Sequence, residues 1–229
     1  MKTIGLIGGM SWESTIPYYK IINEYVGKEL GDLHSARIVL YSVEFSELEK
    51  YMSSGEWDKI AGVLTDAAVK LEKAGADVIL ICTNTMHKLF PGIQEKVSAP
   101  MIHIADATAD ELDRNGIKKV ALLGTKYTMT EDFYKSRLIN RGFEVLIPDE
   151  EDIQLVNSVI FDELCKGIIK DSSRKAYSAI ISKLKDAGAE GVILGCTEIG
   201  MLIKQEDSAL PVFDTTEIHA MSAARFACS

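Results

Sequence analysis

The sequence predicts an α/β protein of two similar domains, each a largely parallel sheet flanked by helices, related by a pseudo-twofold axis. Short apolar runs rich in β-branched residues alternate with longer amphipathic segments along most of the 229 residues. Stretches of the first half also recur in the second half in the same order. A chain that repeats βα units in this way is typical of paired parallel sheets.

Two kinds of segment build this pattern. Residues 57–75 and 173–188 carry apolar residues at helical spacing and end in glycine, the usual residue just beyond a helix C-terminus. Eight shorter apolar runs are candidate strands: TIGLIG (3–8), RIVLYSV (37–43), DVILIC (77–82), PMIHI (100–104), KVALLG (119–124), FEVLIP (143–148), GVILG (191–195) and PVF (211–213).

Internal repetition indicates two halves of the same topology. KLEKAGADVILICTNT, from residue 70, pairs with KLKDAGAEGVILGCTE, from residue 183. In this pairing Cys196 falls on Thr83, so two similar polar turns differ at one central position. Two further pairs of segments recur: residues 4–19 with 120–135, and residues 100–109 with 211–220.

The composition excludes several classes of partner. The net charge of -9 argues against nucleic acid and anionic membranes, and no apolar run approaches the ~18 residues of a membrane span. The first residues, MKTIGLIGGMSWES, lack the long apolar stretch of a secretory signal. Four widely spaced cysteines argue against a disulfide framework in a chain of this size. We therefore expect a cytoplasmic protein.

The sequence also predicts that no metal or organic cofactor is needed. His34, His103 and His219 show no metal-ligand spacing. The glycines of IGLIGG do not form the Gly-x-Gly-x-x-Gly pattern of dinucleotide sites.

The chemistry is expected at turns that follow the predicted strands. Parallel sheets gather such turns at the carboxyl ends of their strands. If the two halves face each other, Thr83 approaches a ligand from one side and Cys196 from the other. Removal of a proton from one face of a carbon and its return on the other inverts the stereocentre. Cysteine suits this task when helix N-termini and donors lower its pKa, and we expect that lowering at Cys196.

The motifs CTNTMH and GCTEIG, with the opening IGLIGGMS and the central LLGTKYTM, closely resemble the aspartate/glutamate racemase family over essentially the whole chain. The resemblance implies a cofactor-independent racemase of acidic amino acids and a homodimer. It also implies two α/β domains, residues 1–105 with 213–229 and residues 106–212, with the active site in the cleft between them.

Thr83 is a departure from that family. Members that use two bases carry their first cysteine directly before the Asn-Thr pair, where this chain has Thr83. Since neighbouring side chains on a strand point to opposite sides, Cys82 is expected to pack behind Thr83. A bulge that turns Cys82 inward is the alternative. The resemblance assigns the L-isomer to Cys196, so we expect a racemase that favours the L-isomer, with reprotonation through Thr83 or a water it holds.

The resemblance also assigns substrate-binding residues. It implies Lys166 as the binder of the distal carboxylate, and Met52 stands where relatives offer Gln or Arg, which weakens acidic specificity. Glu198 is expected to orient the ammonium or the thiol. The α-carboxylate and further contacts fall to Met10, Ser11, Asn84, Thr85, Thr197, Thr125 and Thr128.

Two other functions remain open. The single cysteine of the second turn also resembles arylmalonate decarboxylases and maleate isomerases, which need only one thiol. Two α/β lobes would equally serve a non-catalytic protein that binds an amino acid. The polar residues expected around the site, such as Asn84 and Lys166, favour the racemase over an aryl pocket, and a lowered pKa at Cys196 would speak against a mere binder.

Overall fold

The computed structural model describes residues 1–31 and 33–229 and divides the chain into two compact units. Unit 1 comprises residues 1–103 and 219–229, and unit 2 comprises residues 104–218. The second boundary differs from the expected one at residue 213. The last strand explains the difference, because it pairs with a strand of unit 2 and does not return to the N-terminal sheet.

Unit 1 contains a three-stranded parallel sheet in the order β2-β1-β3. Strands β1 and β3 are almost wholly buried, which suits their continuous apolar sequences. Strands and helices of unit 1 are β1 (Thr3–Gly8), α1 (Trp12–Leu30), β2 (Arg37–Ser42), α2 (Phe45–Ser53), α3 (Trp57–Lys73), β3 (Val78–Ile81) and α4 (Phe90–Gln94).

Unit 2 contains a four-stranded parallel sheet in the order β5-β4-β6-β7. Its elements are α5 (Ile104–Arg114), β4 (Lys119–Gly124), α6 (Lys126–Thr130), α7 (Asp132–Ile139), β5 (Glu144–Leu146), α8 (Glu150–Asp162), α9 (Asp171–Asp186), β6 (Gly191–Gly195), α10 (Ile199–Leu202) and β7 (Val212–Asp214). The chain then enters α11 (Thr215–Cys228), which begins in unit 2 and ends in unit 1.

The helices are amphipathic and bury one face in the core of their own unit. In α1 the buried residues Tyr18, Ile22 and Val26 recur every four positions, the spacing of one helix face. Tyr18 and Ile22 pack with residues of β1, β3 and the end of α11. In unit 2 one cluster gathers α8, α9 and the end of β6, and Cys196 is part of it.

The structure confirms the predicted fold class of parallel sheets flanked by helices. Both sheets also use the same strand order, since β2-β1-β3 corresponds to β5-β4-β6. The repeated segments of the sequence therefore correspond to repeated βα units.

One predicted strand is wrong. The run PMIHI forms only a single bridge, between Met101 and Ile79. Pro100 has no N–H to continue a ladder, and α5 begins at Ile104. Within the described part of the chain, no helix combines the length and the apolar character that a membrane crossing requires.

Candidate active site

In unit 1, two polar turns leave the same edge of the sheet. Strands β1 and β3 run parallel, with Ile7 opposite Ile81, so their carboxyl ends lie side by side. The turns that follow carry five of the predicted site residues, all of them buried: Met10, Ser11, Thr83, Asn84 and Thr85.

The turn between β1 and α1 is tightly packed. Gly9 has a φ of 91°, and a side chain there would collide with the Val43 backbone, so only glycine fits. The Gly9 amide donates to the Thr15 hydroxyl at 2.9 Å, and that hydroxyl donates to the Ser11 carbonyl at 2.8 Å. The turn therefore sits directly against the N-terminal end of α1, whose dipole favours an anionic group.

The second turn of unit 1 separates Cys82 from Thr83. Cys82 is fully buried among apolar residues of the unit 1 core, and this burial raises the pKa of its thiol far above the usual range. Thr83 follows at the carboxyl end of β3, where its amide donates to the Ile81 carbonyl at 2.9 Å. Cys82 thus packs in the core, as the alternation of side chains along a strand predicts.

In unit 2 the corresponding turns follow β4 and β6. These strands are paired up to their ends, Gly124 opposite Gly195. A Cβ at Gly124 would lie 2.8 Å from the Gly195 carbonyl, so the two backbones approach too closely for a side chain. Thr125 caps α6, its hydroxyl accepting from the Thr128 amide at 3.3 Å.

Cys196 lies beyond β6 with its thiol bonded to a carboxylate. Its Sγ–H donates to Oε2 of Glu198 at 3.0 Å, and the Thr197 hydroxyl donates to the same oxygen at 2.9 Å. All three residues are buried, and Glu198 is only 2% exposed. The second turn therefore holds a thiol–carboxylate pair away from bulk water.

The expected lowering of the Cys196 pKa is wrong. Burial, and after it the negative charge of Glu198, raises the pKa of this thiol well above its usual range. Both influences disfavour a second negative charge in a dry environment. The thiol is therefore protonated in this structure and acts first as a hydrogen-bond donor.

Two residues that the sequence motifs did not indicate hold the Cys196 turn. The Thr215 hydroxyl donates to the Leu194 carbonyl at 2.7 Å, and the Thr216 hydroxyl reaches the Thr197 carbonyl at 3.5 Å. These bonds fix the backbone on both sides of Cys196. The signal in the sequence was the polar run DTT after the last short strand.

Met52 and Lys166 do not lie in the turns that directly follow the strands. Met52 is near the end of α2 and 6% exposed. Lys166 ends the short 3-10 segment Leu164–Lys166, and its side chain is 59% exposed with its ammonium 3.8 Å from Asp162. An exposed pair of this kind is worth at most ~1 kcal/mol, so Lys166 can reorient at little cost.

Unit 1 also contains a group of buried histidines that the sequence pattern did not indicate. The rings of His87 and His103 lie 4.6 Å apart, and His219 lies 5.6 Å from His87. Nε2 of His219 lies 2.9 Å from the Ile102 carbonyl, which can only accept, so Nδ1 accepts from the Tyr18 hydroxyl, also at 2.9 Å. Among the described residues, no three His, Cys, Asp or Glu side chains are arranged to hold a metal ion.

Comparisons with known proteins agree on one family. The family model described as Asp/Glu/hydantoin racemase matches residues 7–223. The broad-specificity amino-acid racemase RacX of Bacillus subtilis is 29% identical over 226 residues, which is 96% of this chain and 95% of that protein. Two solved structures match this chain over its whole length and over their own whole length. One is a candidate Asp/Glu racemase from Yersinia pestis, with 52% identity and a TM-score of 0.93. The other is an aspartate racemase homologue from Pyrococcus horikoshii, with 39% identity and a TM-score of 0.87.

Proposed function

Because the chain belongs to the Asp/Glu/hydantoin racemase family, we propose that it racemises acidic amino acids, aspartate, glutamate or both. Its relatives are named as racemases, which are isomerases. The single observation that carries the proposal is the buried pair of Cys196 and Glu198 at the carboxyl end of β6. A thiol beside a carboxylate is able to exchange a proton with Cα of a bound amino acid.

Glu198 supplies the acceptor for the thiol proton. Its Oε2 already receives the Cys196 S–H bond at 3.0 Å, so proton transfer along this bond gives a thiolate and a neutral carboxylic acid. The thiolate then removes the α-proton of the L-isomer. A substrate ammonium close to Glu198 would offset the negative charge that raises the Cys196 pKa.

Thr83 returns a proton on the opposite face of the substrate, through its hydroxyl or through a water that it holds. A threonine hydroxyl is a very weak acid, so it forms little alkoxide near neutral pH and removes protons poorly. Cys82 does not replace it, because Cys82 packs in the core with a strongly raised pKa. The two sides of the reaction are therefore unequal.

The carboxylates of the substrate are held by backbone and hydroxyl donors. The N-terminal end of α1 suits the α-carboxylate, and Lys166 suits the distal carboxylate because its exposed side chain can turn toward an anion. Buried Met52 offers this distal carboxylate no charged partner, which favours a substrate range broader than one acidic amino acid. The remaining contacts are assigned to Met10, Ser11, Asn84, Thr85, Thr125, Thr128 and Thr197.

The inequality of the two sides predicts a specific pattern of isotope exchange. The two isomers are equally stable in water, so kcat/KM must be equal for the L- and the D-isomer. The preference for the L-isomer therefore appears in the rate at which each isomer exchanges its α-proton with the solvent. Cys196 removes and returns protons on the L-face faster than Thr83 does on the D-face. Deuterium from the solvent should therefore enter the recovered L-isomer before much D-isomer forms.

The test is incubation in D2O with each isomer of aspartate and glutamate, followed by NMR of the α-position and chiral chromatography. Support is deuterium in the recovered L-isomer with little in the recovered D-isomer. Equal exchange into both recovered isomers would contradict the role of Thr83. Absence of exchange with all four compounds would end the proposal.

One observation favours a second candidate, a decarboxylase or isomerase of dicarboxylates that uses one thiol. The raised pKa of Cys196 keeps its proton in place, and a decarboxylase needs such a proton to quench the enediolate that it forms. Release of carbon dioxide from a substituted malonate, or isomerisation of maleate, without exchange of any amino acid would support this function.

We also propose a homodimer and a cytoplasmic location. The surface of unit 1 has an apolar groove of about 270 Å³ between α1 and the edge strand β2. It is lined by the exposed side chains of Trp12, Ile16, Tyr19 and Leu40, with Thr15 and Ser42. A second copy related by a twofold axis would cover this surface on both chains, and Trp12→Lys should then yield a monomer in light scattering.

The cytoplasmic location is supported by the cysteines. All four are free thiols, as is usual in a reducing compartment.

A further inference from the structure

A histidine side chain holds the backbone of the turn that carries Thr83. Beyond β3 the chain forms the 3-10 segment Thr85–Leu89, in which the His87 amide donates to the Asn84 carbonyl at 3.0 Å. In an α-helix this amide would reach the carbonyl four residues back, that of Thr83. The His87 ring takes over that carbonyl, with Nδ1 2.7 Å from the Thr83 oxygen. Because a carbonyl only accepts, Nδ1 is the donor.

Packing keeps the His87 ring in this position. The ring is 1% exposed and stacks on Phe90 with a centroid distance of 5.8 Å and an interplanar angle of 13°. His103 and His219 flank it, and His219 is itself bonded to Tyr18. The ring would have to displace these neighbours to turn Nδ1 away from Thr83.

Both peptide groups that flank Thr83 are therefore held. The amide of Thr83 is bonded to the Ile81 carbonyl at 2.9 Å, and the carbonyl of Thr83 is bonded to His87. The two peptide planes that meet at an α-carbon determine φ and ψ, and with them the direction of the Cα–Cβ bond. The direction of the Cα–Cβ bond that carries the Thr83 hydroxyl thus depends on a donor four residues away.

We propose that His87 is the positioning residue of Thr83, and that it determines how often a proton reaches the face opposite Cys196. This inference rests on the proposed racemase function. His87 contributes no proton to the substrate. It acts through the Thr83 carbonyl, so its loss should reduce inversion more than it reduces exchange on the Cys196 face.

The test compares inversion with exchange in variants of His87. His87→Phe keeps an aromatic ring and removes the donor, whereas His87→Asn keeps an N–H group near the position of Nδ1. Each full-length variant is incubated with the L-isomers in D2O, and D-isomer formed is divided by deuterium in the recovered L-isomer. His87→Phe should lower this ratio about tenfold, the factor that corresponds to one net hydrogen bond of about 1.4 kcal/mol. His87→Asn should restore most of it.

Two controls separate positioning from simple loss of stability. Val26→Ala shortens a buried side chain of α1 outside the histidine group and should lower the unfolding temperature without changing the ratio. In a Thr83→Val background, which lacks the hydroxyl, His87→Phe should lower the ratio no further. If His87→Phe does not fold, His87→Gln takes its place, since its amide extends to the position of Nε2.

An unchanged ratio in an active and folded His87→Phe variant would overturn the inference. So would an equal loss in His87→Asn, or a further loss in the Thr83→Val background. A wild-type protein that neither exchanges nor inverts any of the four isomers would refute the proposed function itself, and this inference with it.

Discussion

Mild acid should destabilise the protein through one buried histidine, His219. Its Nε2–H donates to the Ile102 carbonyl and its Nδ1 accepts from the Tyr18 hydroxyl, each at 2.9 Å. Only the bond to Tyr18 requires the neutral ring, because a protonated ring has no acceptor at Nδ1, whereas the Nε2–H bond to Ile102 exists in both forms. Burial lowers the pKa of His219 from 6.5 to about 4, and the bond to Ile102 offsets only part of this effect.

The size and the sign of the effect follow from that pKa. Between about pH 6.5 and about pH 4 the unfolded chain binds a proton at His219 that the folded protein does not bind. The free energy of unfolding therefore falls as the pH falls through this range, and the contribution is complete above pH 6.5. Each pKa unit corresponds to about 1.4 kcal/mol, so the largest loss attributable to His219 is about 3.5 kcal/mol.

The assay is urea unfolding at several pH values between about 4 and 7, with wild type and His219→Gln compared. Carboxylates titrate alike in both proteins, so the difference between the two pH profiles isolates His219. His34→Gln, the same change at an exposed histidine, is the matched control. Parallel profiles for wild type and His219→Gln, or an imidazole NMR titration of His219 near 6.5, would show that His219 does not cause the loss of stability in acid.

Three other changes test the site directly. Thr83→Cys places a second thiol at the end of β3, and deuterium entering the recovered D-isomer in D2O should rise at least about tenfold; no rise would mean that this position does not face Cα. Glu198→Gln removes the charge that helps to raise the Cys196 pKa, so alkylation of Cys196 by iodoacetamide should begin at lower pH, and an unchanged pH profile would contradict that cause. Gly200→Ala should lower the free energy of unfolding by about 1–3 kcal/mol, because the new Cβ collides with the carboxylate of Asp214. That carboxylate accepts from the first amides of α11. Wild-type stability of the variant in urea would show that the carboxylate moves aside freely.

Much of the fold could be predicted from local patterns of apolar residues in the sequence. The runs that became β1, β3, β4 and β6 are apolar throughout because these strands are buried on both faces. The repeats predicted two sheets of the same strand order for a related reason, since similar βα units bury their faces in similar ways. The apolar run PMIHI was also predicted as a strand, and that prediction was wrong: it forms only a single bridge, because Pro100 lacks an N–H for the ladder and α5 begins at Ile104.

The two turns with Thr83 and Cys196 were predictable from the sequence, but the protonation state of Cys196 was not. Polar residues directly after buried strands indicated the turns with Thr83 and Cys196, and the structure has both turns there. The protonation of Cys196 was not predictable, because the spacing of residues shows neither burial nor the position of the Glu198 carboxylate. The structure supplies both, and both raise the pKa.

The sequence alone predicts most of the helices and strands of this protein, the shared topology of its two halves and the types of side chain at the strand ends. These depend on periodicity and on neighbours a few residues apart. Three features depend instead on how the chain packs: the sheet that β7 joins, the hydroxyls that hold the Cys196 turn and the ring that bonds the Thr83 carbonyl. The first two join residues about twenty positions apart, and the third replaces a backbone bond that an ordinary helix would have made. Such contacts depend on how the chain packs, and the local sequence pattern carries no record of them.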